Sequence, residues 1–386
     1  MEQKQNKKII KTLALGHFIT DAYSGFLNPI MPFIAAKIGI SMAVAALLIS
    51  FSNLTSNLSQ PFFGFIADKW QRRFFIFWGM IMASVFLSFL GIAHNIYSLI
   101  LCLILGHMGV SFFHPQATSI VSHYSKCLAD SKDMSIFIAM GTIGFSLGPA
   151  ISSGVAEIWG LEKLPYACFA GIITAYVILK IVPKIQKNTE EGKKVSLLGS
   201  IKKIFSNKPV SILVWASIVK SFVVSSFSIM LPFYWKAQNY SVSKIGIILF
   251  CFLISGAFGV FTSPFAEKKL GIRNVFYLSL VTVLPLGVIF YIFHNNIIGL
   301  MAFILIGYVS FLAVPVNMSL AQRLMPEFKS MIAGFIGGFS WGVIGLILPL
   351  ISVIAENCGI MKILLIISFI PVLFSYFIKY IPERTV

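Results

Sequence analysis

Charge is what this sequence has least of. Of 386 residues only 11% are charged, while 58% are hydrophobic and the mean hydropathy is +0.89. A soluble domain carries roughly 25% charged residues, so a conventional water-facing surface is excluded. Acidic groups are especially scarce, with 13 Asp and Glu against 30 Lys and Arg, for a formal net charge of +17. No nucleic-acid motif accompanies that charge, so nucleic acid is not an expected partner. Cysteine is sparse too: Cys102, Cys127, Cys168, Cys251 and Cys358 stand singly, without metal-ligand spacing or a disulfide framework. They read as small buried hydrophobes. There is no Walker-type loop, His-Glu-x-x-His pair or nucleophile elbow, and an enzyme is not expected. Every loop except the central one is short, which leaves little room for an extramembrane receptor domain.

Long apolar runs are what the sequence has in abundance. A hydrocarbon core about 30 Å thick needs roughly 20 helical residues per crossing. Cutting at polar clusters predicts twelve spans, at 9–36, 42–66, 74–93, 96–122, 134–157, 164–182, 210–235, 242–266, 273–293, 297–322, 331–355 and 360–380. The N-terminus (Lys4, Lys7, Lys8, Lys11, then apolar) resembles a signal peptide, but its apolar run continues past Asp21 to Ala36 and reads as a retained helix. Twelve crossings put both termini on one side. That side holds 24 Lys and Arg, the opposite side five, and Lys220 lies inside a span. By the positive-inside rule, the termini and central loop are expected in the cytoplasm, with the chain in a bacterial inner membrane. Tyr97, Trp159 and Trp235 read as interfacial anchors.

The stretch 184–208 is the one long polar segment. It separates a six-helix bundle at 1–183 from another at 209–386, and the halves echo one another about 200 residues apart. Pro32-Phe33 recurs as Pro232-Phe233, Ala67-Asp68-Lys69 as Ala266-Glu267-Lys268, His94-Asn95 as His294-Asn295, Pro115 as Pro315, and Gly144-Phe145-Ser146-Leu147-Gly148 as Gly338-Phe339-Ser340-Trp341-Gly342. Both halves start on the same side with an even number of spans, so the expected fold is an all-α parallel pseudo-two-fold repeat.

Six plus six around a midplane cavity resembles the major facilitator superfamily, and the motifs agree. The stretch Gly64-Phe65-Ile66-Ala67-Asp68-Lys69-Trp70-Gln71-Arg72-Arg73 is similar to the family's Gly-x-x-x-Asp-Arg-x-Gly-Arg-Arg, with Gln71 where glycine is usual. The resemblance implies that this loop, Asp68 above all, latches one side during alternating access. The second copy, 266–273, is degraded and is expected to matter less. Gly144-x-x-x-Gly148-Pro149 is similar to the core of the family's antiporter motif, although close helix packing explains it almost as well. Gly16-His17-Phe18-x-x-Asp21, Ser59-Gln60-Pro61-x-x-Gly64 and Phe112-Phe113-His114-Pro115 resemble the fosmidomycin-resistance branch, which implies proton-coupled efflux. Gln116 departs from the Glu that often follows His-Pro in that branch.

Ionisable groups at membrane depth are costly and default to functional candidates. His17 and Asp21 are four apart and share a face. Lys220, at the repeat offset from Asp21, is expected at the equivalent place in the seventh span, facing Asp21 across the cavity. His107 and His114 share a face of the fourth span, His114 about level with His17 at 1.5 Å per residue. Histidine titrates near neutrality. Asp21 and His17 are therefore expected to carry a proton, Lys220 to meet a substrate anion or pair with Asp21, and His107 and His114 to touch substrate. Gln60 and Asn57 are candidate path residues that could equally bind helices together, as could Asn53. The bland alternatives are a structural Asp21–Lys220 pair, a His114 that satisfies a proline break, and a packed His107. His94, His123 and His294 read as solvated, and Gln322 has no assignment.

The expectation is thus a secondary transporter. It is read as a monomer in the lipid bilayer that exports a small organic molecule, with anionic and drug-like compounds as the candidates, in exchange for protons and without a cofactor. Two alternatives remain. One is an uptake symporter; the other is a divalent-metal transporter using Asp21, His17, His107 and His114, against which Lys220 argues.

Overall fold

The computed structural model describes residues 2–40, 42–70, 74–125, 132–183, 196–240 and 242–383. These residues are almost entirely helical, and no strand occurs among them. The solvent explains this, because hydrocarbon offers no partner to backbone N–H and C=O groups and helices close their own bonds. Ten helical stretches among the described residues are long and apolar enough to cross a membrane, from Phe74–Ile92 to Ile360–Tyr380.

The two remaining expected spans are helical but interrupted. The first is Glu2–Ser24 followed by Leu27–Ile38, and the lysine-bearing end simply continues its helix. The second pauses at Ser59, between Met42–Leu58 and Gln60–Trp70. Pro61 has no N–H for the carbonyl one turn back, which loosens the helix there. Ser59 Oγ donates to Thr55 O at 2.6 Å, alongside the Ser59 amide.

The helix ends of the two halves are similar, although the second cap falls one residue past the Asn295 that the sequence pairs with Asn95. Asn95 caps the fourth span (Ile96–Tyr124) in a reciprocal box with Ser98. Asn296 caps the tenth, its side chain accepting from the amides of Ile298 and Gly299. Pro115 lies inside the fourth span, whereas at the matching Pro315 the tenth span pauses between Leu312 and Val314. Burial is inverted relative to a soluble protein. Phe265, Leu350 and Leu373 are about two-thirds exposed, while Ser84, Ser221 and Ser263 are fully buried. Several serine hydroxyls return to a carbonyl of their own helix, as Ser52 does to Leu48 at 2.7 Å, which removes the cost of burying them.

Contacts divide the chain into two units. One comprises Met1–Lys126, Ile136–Lys202 and Met325–Gly342; the other comprises Cys127–Ser135, Lys203–Leu324 and Val343–Val386. The division therefore does not fall at the linker alone, because the opening turns of the eleventh span belong to the first unit. There they pack on the second and fourth spans. This segment contains a wide π-helical turn, Gly334–Phe339. The glycines are required by a close approach: a Cβ on Gly338 would lie 2.3 Å from the Gln60 side chain, and one on Gly334 2.6 Å from the Gln60 backbone. The second unit is centred on stacked aromatics, with the rings of Phe252 and Phe303 4.5 Å apart and nearly parallel.

Candidate functional site

Three ionisable side chains of the first unit meet. His17 Nε2 lies 3.2 Å from Asp21 Oδ2, across one helical turn. His114 Nε2, from the fourth span, lies 3.0 Å from Asp21 Oδ1. The His17 and His114 rings are 5.0 Å apart, edge to face. The sequence expectation that these residues share a level therefore holds. His114 does not answer a proline break with its side chain; its ring goes to Asp21.

The fifth span fixes the His17 ring. Nδ1 lies 2.8 Å from Phe137 O, and the ring stacks on Phe137 at 4.1 Å between centroids. On the other side, a Cβ added to Gly141 would sit 2.4 Å from the imidazole. A carbonyl can only accept, so Nδ1 must carry a hydrogen. In a neutral ring Nε2 is then a lone pair facing a carboxylate oxygen, which also offers only lone pairs. The 3.2 Å contact needs one proton between the two atoms, on His17 or on Asp21. His114 supplies the other bond as a donor. A carboxylate at the centre of a membrane helix costs about 2.5–3.5 kcal/mol by insertion scales. Two charge-assisted hydrogen bonds, about 1.5–3 kcal/mol each, are enough to offset that.

Gly141, Gly144 and Gly148 form one ridge. Cβ atoms on Gly144 and Gly148 would lie 2.1 and 2.3 Å from the backbone oxygens of Phe18 and Ala22. The antiporter-like motif is thus a close-packing surface between the fifth and first spans, and it carries the His17 seat at its end. Pro149 continues the same helix, Lys132–Trp159. Sequence reading missed Phe137 and Gly141. The 3- and 4-residue glycine spacing was a visible signal for Gly141, whereas a backbone carbonyl leaves none.

The other candidates lie elsewhere. His107 is 3% exposed, and its Nδ1 bonds to Leu103 O of its own helix at 2.9 Å, the packed arrangement. Gln60 is buried against Gly334 and Gly338, which is helix packing, and Asn57 is half-buried in the same span. Gln116 accepts from the Ile76 amide at 3.1 Å, near the start of the third span. Lys220 borders a cavity of about 20 Å³ lined by residues of its own unit, including Ser217, Ser279, Ser310 and Asn317. Its ammonium lies 5.2 Å from the Phe311 ring centroid. Asp21 takes both of its described ion-pair partners from the first unit.

At one end of the same unit, Asp68 accepts from the backbone amides of Ser330 and Met331 at 2.9 and 2.8 Å. These are opening amides of the eleventh span, unpaired within their helix and carrying its positive dipole end. Gly64 permits the approach, since a Cβ there would lie 2.4 Å from Ser330 O. Arg72 lies outside the described residues. In the degraded second copy, Glu267 lies 3.9 Å from Arg323, both buried.

Comparison with known proteins places these features. The family model described as Major Facilitator Superfamily matches residues 13–380. The chain is 25% identical over 369 residues to the fosmidomycin resistance protein of Escherichia coli K12, covering 95% of this chain and 90% of that protein. It is 26% identical over 349 residues to the quinolone resistance protein NorA of Staphylococcus aureus Mu50, covering 88% and 85%. Among solved structures, the human organic anion transporter MFSD10 superposes with a TM-score of 0.79 at 16% identity, covering 97% of this chain and 99% of that one.

Proposed function

The chain belongs to the Major Facilitator Superfamily, and on that premise we propose that it is a proton-coupled antiporter exporting a small organic molecule across a bacterial inner membrane, with both termini cytoplasmic. The observation that carries this reading is the proton required between His17 Nε2 and Asp21 Oδ2 in a half-buried cluster. Such a group can load from one side and unload to the other when its surroundings change. Asp21 and His17 hold the proton, and His114 is the third member, holding the carboxylate when the proton is away. Asp68 latches the opening of the eleventh span, and alternating access proceeds by making and releasing that latch. The relatives named for resistance to fosmidomycin and quinolones support drug-like cargo and outward transport.

Lys220 is proposed to meet an acidic group of the cargo. Its niche of about 20 Å³ has room for one water, so that contact belongs to a stage at which the niche is wider. Import by symport would use the same side chains, and the sign of cargo flux relative to the proton gradient decides between them. The test is purified protein in liposomes with an imposed pH gradient, offered phosphonates, siderophore-like chelators, drugs and metals. The expected result is cargo movement against the proton flux in the wild type and loss of gradient-driven movement in Asp21→Asn. Unchanged gradient-driven flux in Asp21→Asn would remove the proposed proton carrier.

A further inference from the structure

His17, Asp21 and His114 present two imidazole nitrogens and a carboxylate oxygen that all lie within 4.8 Å of one another. The two contacts through Asp21, 3.2 Å to Oδ2 and 3.0 Å to Oδ1, are each close to the ligand–ligand edge of a tetrahedral zinc site, roughly 3.3 Å for bonds of about 2.0–2.1 Å. They fall on different oxygens, so the carboxylate binds an ion through both of them or turns to offer one, and the imidazoles close in around it. The outer contacts suit the same purpose. A metal-bound histidine ordinarily gives its second ring N–H to a carbonyl or carboxylate, which fixes the tautomer and aims the free lone pair at the ion. His17 already does this through Nδ1 and Phe137 O at 2.8 Å, with its ring held between Phe137 and Gly141. Asp21 and His114 keep 17% and 19% of their side-chain surface open, so a fourth ligand can be water and an ion can enter.

We infer that the His17–Asp21–His114 cluster is a binding site for a first-row divalent cation such as zinc. The ion is an external competitor rather than a resident cofactor, and it sits between the same atoms that the shared proton joins. Two nitrogens and one oxygen select zinc, cobalt or nickel over magnesium and calcium, which prefer all-oxygen sets. The binding claim stands apart from the proton-antiport reading. The added consequence, that bound zinc stops gradient-driven transport, rests on that reading.

The test is calorimetric titration of the full-length, detergent-purified chain with zinc chloride at fixed pH, alongside thermal unfolding. One zinc per chain is expected, with a raised Tm and no response to magnesium at the same concentration. His114→Ala, and the shape-preserving His114→Gln and Asp21→Asn, should each weaken binding at least tenfold, while the loop-edge His94→Ala binds as the wild type does. Cobalt should give visible d–d absorption that is lost in His114→Gln. Circular dichroism confirms that each variant is folded. Zinc binding unaffected in folded His114→Gln and Asp21→Asn, or absent from the wild type, overturns the inference. If zinc binds as described but the wild type shows no proton coupling, the antiport reading fails and the site stands. If coupling is lost in Asp21→Asn while zinc does not bind, the site fails and the antiport reading stands.

Discussion

At the scale of single residues, the first unit gathers its membrane-depth ions into a cluster, and the second keeps Lys220 beside a small polar niche. Asp21 has two imidazoles to hold it, so its removal should be felt in coupling first and in stability second. Lys220 should behave the other way round. An ammonium at this depth costs free energy, and Lys220→Met keeps the length of the chain while discarding the charge. Its Tm is expected to stay level or rise, while transport of acidic cargo slows at least tenfold and that of neutral cargo changes little. Parallel melting curves and uptake assays read both. The i,i+4 spacing made His17 and Asp21 legible as a pair, and counting rise along the helix put His114 at their level. The sequence could not say that His114 turns toward Asp21, because the azimuth of one helix against another is set by packing.

At the scale of elements, the fifth span joins rigidity to chemistry. The neighbour of a Cβ on Gly144 is the Phe18 backbone, whereas the neighbour of one on Gly141 is the His17 ring. Gly144→Ala must push two helices apart and is expected to cost about 1–3 kcal/mol, visible as a lower Tm. Gly141→Ala can be absorbed by turning the imidazole, so it should spare most of the Tm and remove most gradient-driven flux. The latch between the second and eleventh spans gives a further expectation. Asp68→Asn loses the charge facing the opening amides, so the latched arrangement becomes less populated. Alkylation at Ser330→Cys, resolved by mass spectrometry, should speed up several-fold in the Asp68→Asn background; an unchanged rate would show that the carboxylate does not hold the span. These glycines were legible as a motif, but which neighbour each one admits was not.

At the scale of the whole molecule, hydropathy and charge were the most readable signals. The paired prolines at 115 and 315 both lie in the helices where the spans were expected, and an asparagine caps the fourth and the tenth span. What the composition could not supply was the assignment of residues 325–342 to the first unit, since they are apolar either way and contact alone decides. The Lys and Arg asymmetry, 24 against five, predicts orientation. Reporters active only in the cytoplasm, fused after residue 195 or after Val386, should both be active. A fusion after His294 should be silent, and activity there would invert the topology.

The grip of Asp68 is on main-chain N–H groups, not on the side chains of Ser330 and Met331. Such a clasp is indifferent to the alphabet of the strap it closes on. Nineteen of the twenty amino acids offer the same hook at those two places, and proline alone withholds it. Relatives can therefore vary those two residues and keep the fastening, so long as the carboxylate stays and the small residue beneath it leaves the gap open.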